Sequence, residues 1–436
     1  MTSSYYSSNG FERKSAARSP AFPDGWPVVS APGREADNPA GQPMILSHRP
    51  GRVVPRLVPV AYDGKMCPGI DFTFIDYLGL MSHPAVRDAA QTAIENCGAL
   101  PEGRPPSAQA SPEAAALQAE LAEFLQVPHV LLYSQGWTAC CGVVGGLVRA
   151  ADHVVLDTLV QGNFYEAAAA ITRRVHLCRH LDVDHVGEVL RDIRIRESRR
   201  QILVVTEALF ATEADTANLA ALQATCRRYD ALLCVSVSND LGAVGPGGTG
   251  CLGLQHMLGQ VDLVVGSFFP TLACSGGFAA TLRREVYDRL RVYEPSNTDS
   301  RALMRVQSAT ALAALRLVRS PEGERRRRAL STAVVAVRAG LALHGGIVMG
   351  AAAPMVPLWL GREEVGRMAA RLCAERGVQV SLLEHPEVPM GAARLHLHLM
   401  ATYDSDQCLA ATAHIAEAVE EAERYDHSDL AYAVGY

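Results

Sequence analysis

Residues 201–235 read QILVVTEALFATEADTANLAALQATCRRYDALLCV. The run Gln201-Ile-Leu-Val-Val-Thr206 has the length and β-branched content of a buried strand. Leu219 to Tyr229 carries helical spacing, and Ala231-Leu-Leu-Cys-Val235 is a second apolar run. Strand, helix, strand is a βαβ unit, whose crossover helix makes its two strands parallel.

The same alternation extends to both sides. Upstream, His129-Val-Leu-Leu-Tyr133 and His153-Val-Val-Leu-Asp157 read as strands, with a small-residue helix beginning at Gly136 between them. Downstream, Val261-Asp-Leu-Val-Val-Gly266 is another strand. Apolar strands separated by helices predict a mostly parallel α/β sheet covered on both faces. Before it, Asp71 to Gly79 reads as a short strand and turn. A helix then opens at Pro84, and another follows Ser111 with Pro112 at its first position. Leu117, Leu121, Phe124 and Leu125 form that helix's apolar stripe. Residues 301–343 read as a long helical stretch. Met355–Leu360, Val378–Leu382 and Ala393–Leu399 read as the strands of a smaller unit.

Composition narrows the chemistry. The 436 residues are 49% hydrophobic and 20% charged, which fits a globular chain of more than one lobe. No apolar run reaches the roughly 18–20 residues of a membrane span. The polar N-terminus lacks a secretory signal's apolar centre, so a cytoplasmic location is expected. A net charge of −6 gives no general attraction for nucleic acid. Arg325-Arg-Arg-Arg328 is expected as a solvated helix face, because four adjacent residues wrap around a helix rather than form a patch. Eleven scattered cysteines form no CxxC pair and no zinc-ligand spacing, so no metal is expected. Of 40 basic residues only Lys14 and Lys65 are lysines, and none lies between Met66 and Tyr436.

Six segments carry a family resemblance: Asp76-Tyr-Leu-Gly-Leu80, Tyr133-Ser-Gln-Gly-Trp-Thr138, Thr206-Glu-Ala-Leu-Phe210, Gly242-Ala-Val-Gly-Pro-Gly-Gly-Thr-Gly250, Ser275-Gly-Gly-Phe278 and Ala393-Arg-Leu395. In this order the chain resembles the α-oxoamine synthases, fold-type-I pyridoxal-phosphate (PLP) enzymes that condense an acyl thioester with an amino acid. The resemblance spans residues 70–425. It implies a large α/β domain, a smaller C-terminal α+β domain and a site at a dimer interface. The expected division is a flexible arm at 1–60, an interface segment at 61–105, a large domain carrying a degenerate PLP pocket at 106–300, a linking helix and small domain at 301–428, and a tail at 429–436.

At the chemistry positions the resemblance implies loss. Where the family has its Schiff-base lysine, this chain reads Ser267-Phe-Phe-Pro270. Proline has no amine, so a Schiff base at Pro270 is ruled out and no covalently bound cofactor is expected. Ser236 stands where an aspartate holds the pyridine nitrogen, Asn239 where the family has histidine, and Gln161 nearest its stacking histidine. Glu102-Gly-Arg-Pro-Pro-Ser107 replaces a Gly-rich segment, and Arg394-Leu-His396 replaces an Arg-x-Arg run. Gly136, Trp137 and Ser267 remain as a phosphate-binding turn, open to a non-covalent phosphate or another anion, or are kept for turn geometry alone. Glu207 is also kept.

The closest resemblance is to the lysine-free subunit of heterodimeric serine palmitoyltransferase. It implies a non-catalytic subunit beside a lysine-bearing homologue. A second expectation is a PLP-independent enzyme on the same fold, a homodimer acting on an acyl-CoA or acyl-carrier-protein thioester. Its candidates are Asn239 as oxyanion donor, His396 as base and Cys274 as nucleophile. Each has a structural alternative, and a cysteine beside a Gly-Gly turn is commonly a packing residue. A third is a biosynthetic scaffold, with Tyr5, Tyr6 and Trp26 as anchors for a partner.

Overall fold

In the computed structural model, residues 59–62, 65–98, 111–293 and 303–433 are described. For 59–62, 65–68, Cys97 and 426–433 the description is of the backbone only. Residues 1–58 of the expected arm, with Lys14, Tyr5, Tyr6 and Trp26, and the segment Glu102–Ser107 lie outside the described residues, whereas Pro59 and Val60, expected in the arm, belong to a short strand.

The βαβ unit read from 201–235 sits at the centre of a seven-stranded sheet. In spatial order the strands are His129–Tyr133, Gly277–Thr281, Leu263–Ser267, Leu232–Ser236, Ile202–Glu207, His153–Asp157 and Val175–Cys178. All neighbours run parallel except Gly277–Thr281, which is antiparallel to both its partners. Alternate side chains serve two cores. Leu203 and Val205 pack toward Cys140, Val143 and Phe164, whereas Ile202 and Val204 pack toward Leu190, Leu222 and Val235. Burial on both faces is why these strands are nearly all apolar.

Two strands were not legible in the sequence. Val175–Cys178 is an edge strand with an exposed Leu177, so its pattern does not register as buried. Gly277–Thr281 reads Gly-Phe-Ala-Ala-Thr, and its small residues have little strand propensity of their own.

The helix Pro112–Leu125 buries all four residues of its expected stripe, and Ser111 Oγ accepts the Ala114 N–H at 3.1 Å. The helical stretch expected over 301–343 holds two helices among the described residues, Arg305–Val318 and Pro321–Leu343. The break falls at Ser320-Pro321, a cap-and-proline pair of the same kind as Ser111-Pro112. The arginine run needs correction. Arg325 and Arg328 are exposed, but Arg327 is only 7% exposed and donates to the Val318 carbonyl at 2.8 Å. Arg326 donates to the Leu78 carbonyl at 2.8 Å. A run that wraps the helix must send some side chains inward, and these two meet the free carbonyls of neighbouring segments.

A four-stranded antiparallel sheet follows, ordered Ile347–Val348, Met355–Gly361, Ala393–His398, Ser381–Leu383. Helices Glu363–Glu375 and Ser405–Ala433 pack against each other beside it. No helix among the described residues is long and apolar enough to cross a membrane.

Candidate functional site

The parallel strands end together at Tyr133, Asp157, Glu207, Ser236 and Ser267, the edge at which open α/β sheets commonly hold ligands. The helix Gly136–Leu147 starts here and presents first-turn N–H groups, those of Gly136 and Trp137 among them. Gly136 is needed for the approach. A Cβ there would lie 2.6 Å from Ser267 Cβ and 2.7 Å from its Oγ. Ser267 Oγ accepts the Phe269 N–H at 3.2 Å. Trp137 is exposed, and Pro270 is buried behind an exposed Phe269.

Glu207 organises the interior of the site. Its Oε1 accepts the Gln161 backbone N–H at 2.7 Å, and its Oε2 accepts from Asn239 Nδ2 at 2.9 Å. Burial pushes its carboxyl up to about 8, against the lowering effect of these bonds. Ser236, opposite Glu207 in the strand register, is buried with its Oγ 3.2 Å from Ser238 Oγ. Gln161 contributes through its backbone, and its side chain makes no cap bond to the helix Gly162–Ile171 that it precedes.

The three candidate catalytic residues are engaged elsewhere. Asn239 Nδ2 donates its second proton to the Leu209 carbonyl at 3.0 Å, which leaves no amide proton for an oxyanion. His396 Nε2 lies 2.8 Å from the Ala211 carbonyl, which only accepts, so Nε2 carries the proton. Its Nδ1 then accepts from His398 Nε2 at 3.2 Å and is not available as a base. Burial lowers both imidazoles, His398 to about 3. Cys274 directs its thiol at the Gln307 carbonyl at 3.5 Å, and burial pushes it up to about 12, opposite to what a thiolate nucleophile requires. No contact joins Cys274 to His396 among the described residues. Arg394 is 2% exposed and pairs with Glu213 at 2.6 Å.

Sequence reasoning missed His180. It lies 2.8 Å from Asp157 and 3.0 Å from Asp215, with the Phe210 ring edge-on to it. Burial opposes its charge, but the two carboxylates together raise it to about 9. Asp240 was also missed. It is fully buried, accepts the Cys251 N–H at 2.6 Å, and is raised to about 6 by burial. No local pattern marks either residue, because their partners lie 11 to 35 positions away in the chain.

No protein-family model matches the chain. It is 34% identical over 342 residues to the 8-amino-7-oxononanoate synthase of Anaeromyxobacter dehalogenans (strain 2CP-C), covering 78% of this chain and 84% of that one. The enzyme of the same name from Geobacter sulfurreducens is 31% identical over 347 residues, covering 79% and 88%. Among solved structures, a lysine-to-alanine variant of S. paucimobilis serine palmitoyltransferase with bound PLP-myriocin aldimine superposes with TM-score 0.76. It is 21% identical and covers 81% of this chain and 88% of that one. The Francisella tularensis 8-amino-7-oxononanoate synthase superposes with TM-score 0.69 at 18% identity, covering 81% and 98%. The architecture is therefore the fold-type-I PLP-transferase fold. The chain belongs to the α-oxoamine synthase family.

These relatives correct one expectation. Proline at position 270 led to the expectation that no cofactor is covalently bound. Yet PLP is bound in serine palmitoyltransferase, including a variant in which a lysine has been replaced by alanine. A missing lysine therefore does not by itself remove the cofactor, and the expectation of no covalently bound cofactor is overturned. At the phosphate end the local geometry fits such a group. Gly136 lets the Ser267 side chain pack against the helix start, which puts the Ser267 hydroxyl beside the first-turn N–H groups.

Proposed function

We propose that the chain is the lysine-free subunit of a heterodimeric enzyme condensing an acyl thioester with an amino acid. A homologous, lysine-bearing subunit supplies the Schiff-base amine, and PLP is the cofactor of the assembled enzyme. One observation carries this. Gly136 packs against Ser267 at a helix start, an arrangement that can hold a phosphate, while no lysine occurs from Met66 to Tyr436. PLP supplies an electron sink for bonds at the amino acid's α-carbon, and an amine must anchor it between turnovers.

This chain's own residues then hold and orient. The start of helix Gly136–Leu147 and Ser267 receive the phosphate. Glu207 fixes the Gln161 N–H and the Asn239 amide. Ser236 offers a neutral hydroxyl at the sheet's end. Family membership supports the condensation, and the engagement of Asn239, His396 and Cys274 in internal bonds supports a partner-dependent role.

Native mass spectrometry of tagged protein drawn from its source cells tests this. The expected result is a one-to-one complex with a lysine-bearing homologue that absorbs as bound PLP, with this chain inert alone. A homodimer that turns over an acyl thioester and amino acid once PLP is added would overturn it.

A further inference from the structure

At the opposite end of the sheet, where His129–Tyr133 begins, lies a cavity of about 360 Å³. Its walls are the helices Pro112–Leu125 and Arg284–Tyr293 and the segment Pro128–Val130. Ala119, Ala122 and Pro128 are short and leave it concave. Five polar side chains face it: Gln118, His129, Arg284, Tyr287 and Arg291. The volume falls in the range of small-molecule sites.

The rim is ordered by its own contacts. His129 stacks on Tyr287 with ring centroids 5.0 Å apart, and the Arg284 guanidinium lies over the same ring at 5.8 Å. Gln118 Nε2 donates one of its two protons to the Val130 carbonyl at 3.0 Å, which leaves one N–H for a ligand. Arg284 pairs with Asp288 at 2.8 Å, but both side chains are largely exposed, 66% and 48%. Such a pair is worth little and yields readily to a stronger anion. Arg291 makes no ion pair among the described residues, although Asp288 lies near enough to feel its charge.

We infer that this cavity binds a small molecule carrying a diphosphate or a similar spread of phosphate oxygens. Arg284 and Arg291 stand seven residues apart on one helix face, a rise of about 10 Å, with Tyr287 between them. A single carboxylate has two oxygens, enough for one bidentate guanidinium contact. A diphosphate meets both guanidiniums, each bidentate, with the Tyr287 hydroxyl between. The site is separate from the candidate active site at Glu207 and Ser267, which lies at the strands' other ends.

Calorimetric titration of the full chain with pyrophosphate, and in parallel with succinate, at constant ionic strength tests this. The expected result is saturable pyrophosphate binding. It weakens about tenfold or more in Arg291→Glu, which removes a bidentate guanidinium and adds a like charge, and is unchanged in Arg191→Glu, the same charge reversal at an exposed residue of the helix Val183–Arg196. Asp288→Asn, which frees Arg284, should tighten it, whereas Asp192→Asn, an equal charge change elsewhere, should not. Three results would each overturn the site: no saturable binding of pyrophosphate, binding that survives Arg291→Glu, or binding lost equally in Arg191→Glu. Succinate binding as tightly as pyrophosphate would overturn the diphosphate class.

Discussion

Glu207 is a carboxylic acid that the fold keeps protonated near neutrality. Its pKa rises from the ordinary 4.5 to about 8 because it is buried. A raised folded-state pKa means the native state binds the proton more tightly than the unfolded chain. Its contribution to stability is therefore complete below about pH 4.5 and is lost as pH rises through 8. Asp240, raised to about 6, and His180, raised to about 9, have the same sign in neighbouring windows. Stability measured by urea denaturation should fall from pH 5 to pH 9. Glu207→Gln should make the slope shallower between about pH 4.5 and 8, and leave the Asp240 portion up to about pH 6 and the His180 portion from about pH 6.5 to 9. A slope unchanged by Glu207→Gln would mean that this carboxyl is not the titrating group.

Gly136 shows how an element's end is set by a close approach. The helix Gly136–Leu147 begins against the end of strand Leu263–Ser267, and the neighbouring Gly277 is equally confined, its Cβ position lying 2.8 Å from Gly136 Cα. Gly136→Ala should cost about 1–3 kcal/mol, the usual penalty for overpacking. Adding Ser267→Gly removes the atoms it strikes and should recover most of that loss. Thermal denaturation of the two single variants and the double variant reads the coupling. Additive losses would show that the strain lies elsewhere. The glycine itself was legible as a turn residue. The strand it meets is contributed by a segment about 130 residues further along, and so the reason for the glycine was not.

At the scale of the molecule, the segment Leu209–Asp215 joins the two sheets. From the large sheet's side it is held by Asn239 at the Leu209 carbonyl and by His180 at Asp215. From the small sheet's side it is held by His396 at the Ala211 carbonyl, Arg394 at Glu213 and the Ala351 N–H at the Ala214 carbonyl. Arg394→Ala would strand the Glu213 carboxylate in a largely buried place and should cost about 3 kcal/mol. Hydrogen exchange should show lost protection in 209–215 and in 393–398 together. Destabilisation without that joint loss would argue against a strap between the sheets.

The sequence alone determined the class of fold. Apolar runs spaced by helical ones dictate a sheet buried on both faces, and that pattern is local. It also determined a chemical limit, since the count of lysines does not depend on folding. The helix start at Ser111-Pro112 was written in its cap for the same reason. What the tertiary structure decided is what each polar side chain has left to offer. Asn239, His396 and Cys274 have the right functional groups, but distant carbonyls and a carboxyl take up their hydrogen bonds. His180 draws its charge from carboxylates 23 and 35 residues away. Hydrogen bonding and desolvation act over a few ångströms of space, and only the folded chain sets which residues share that space.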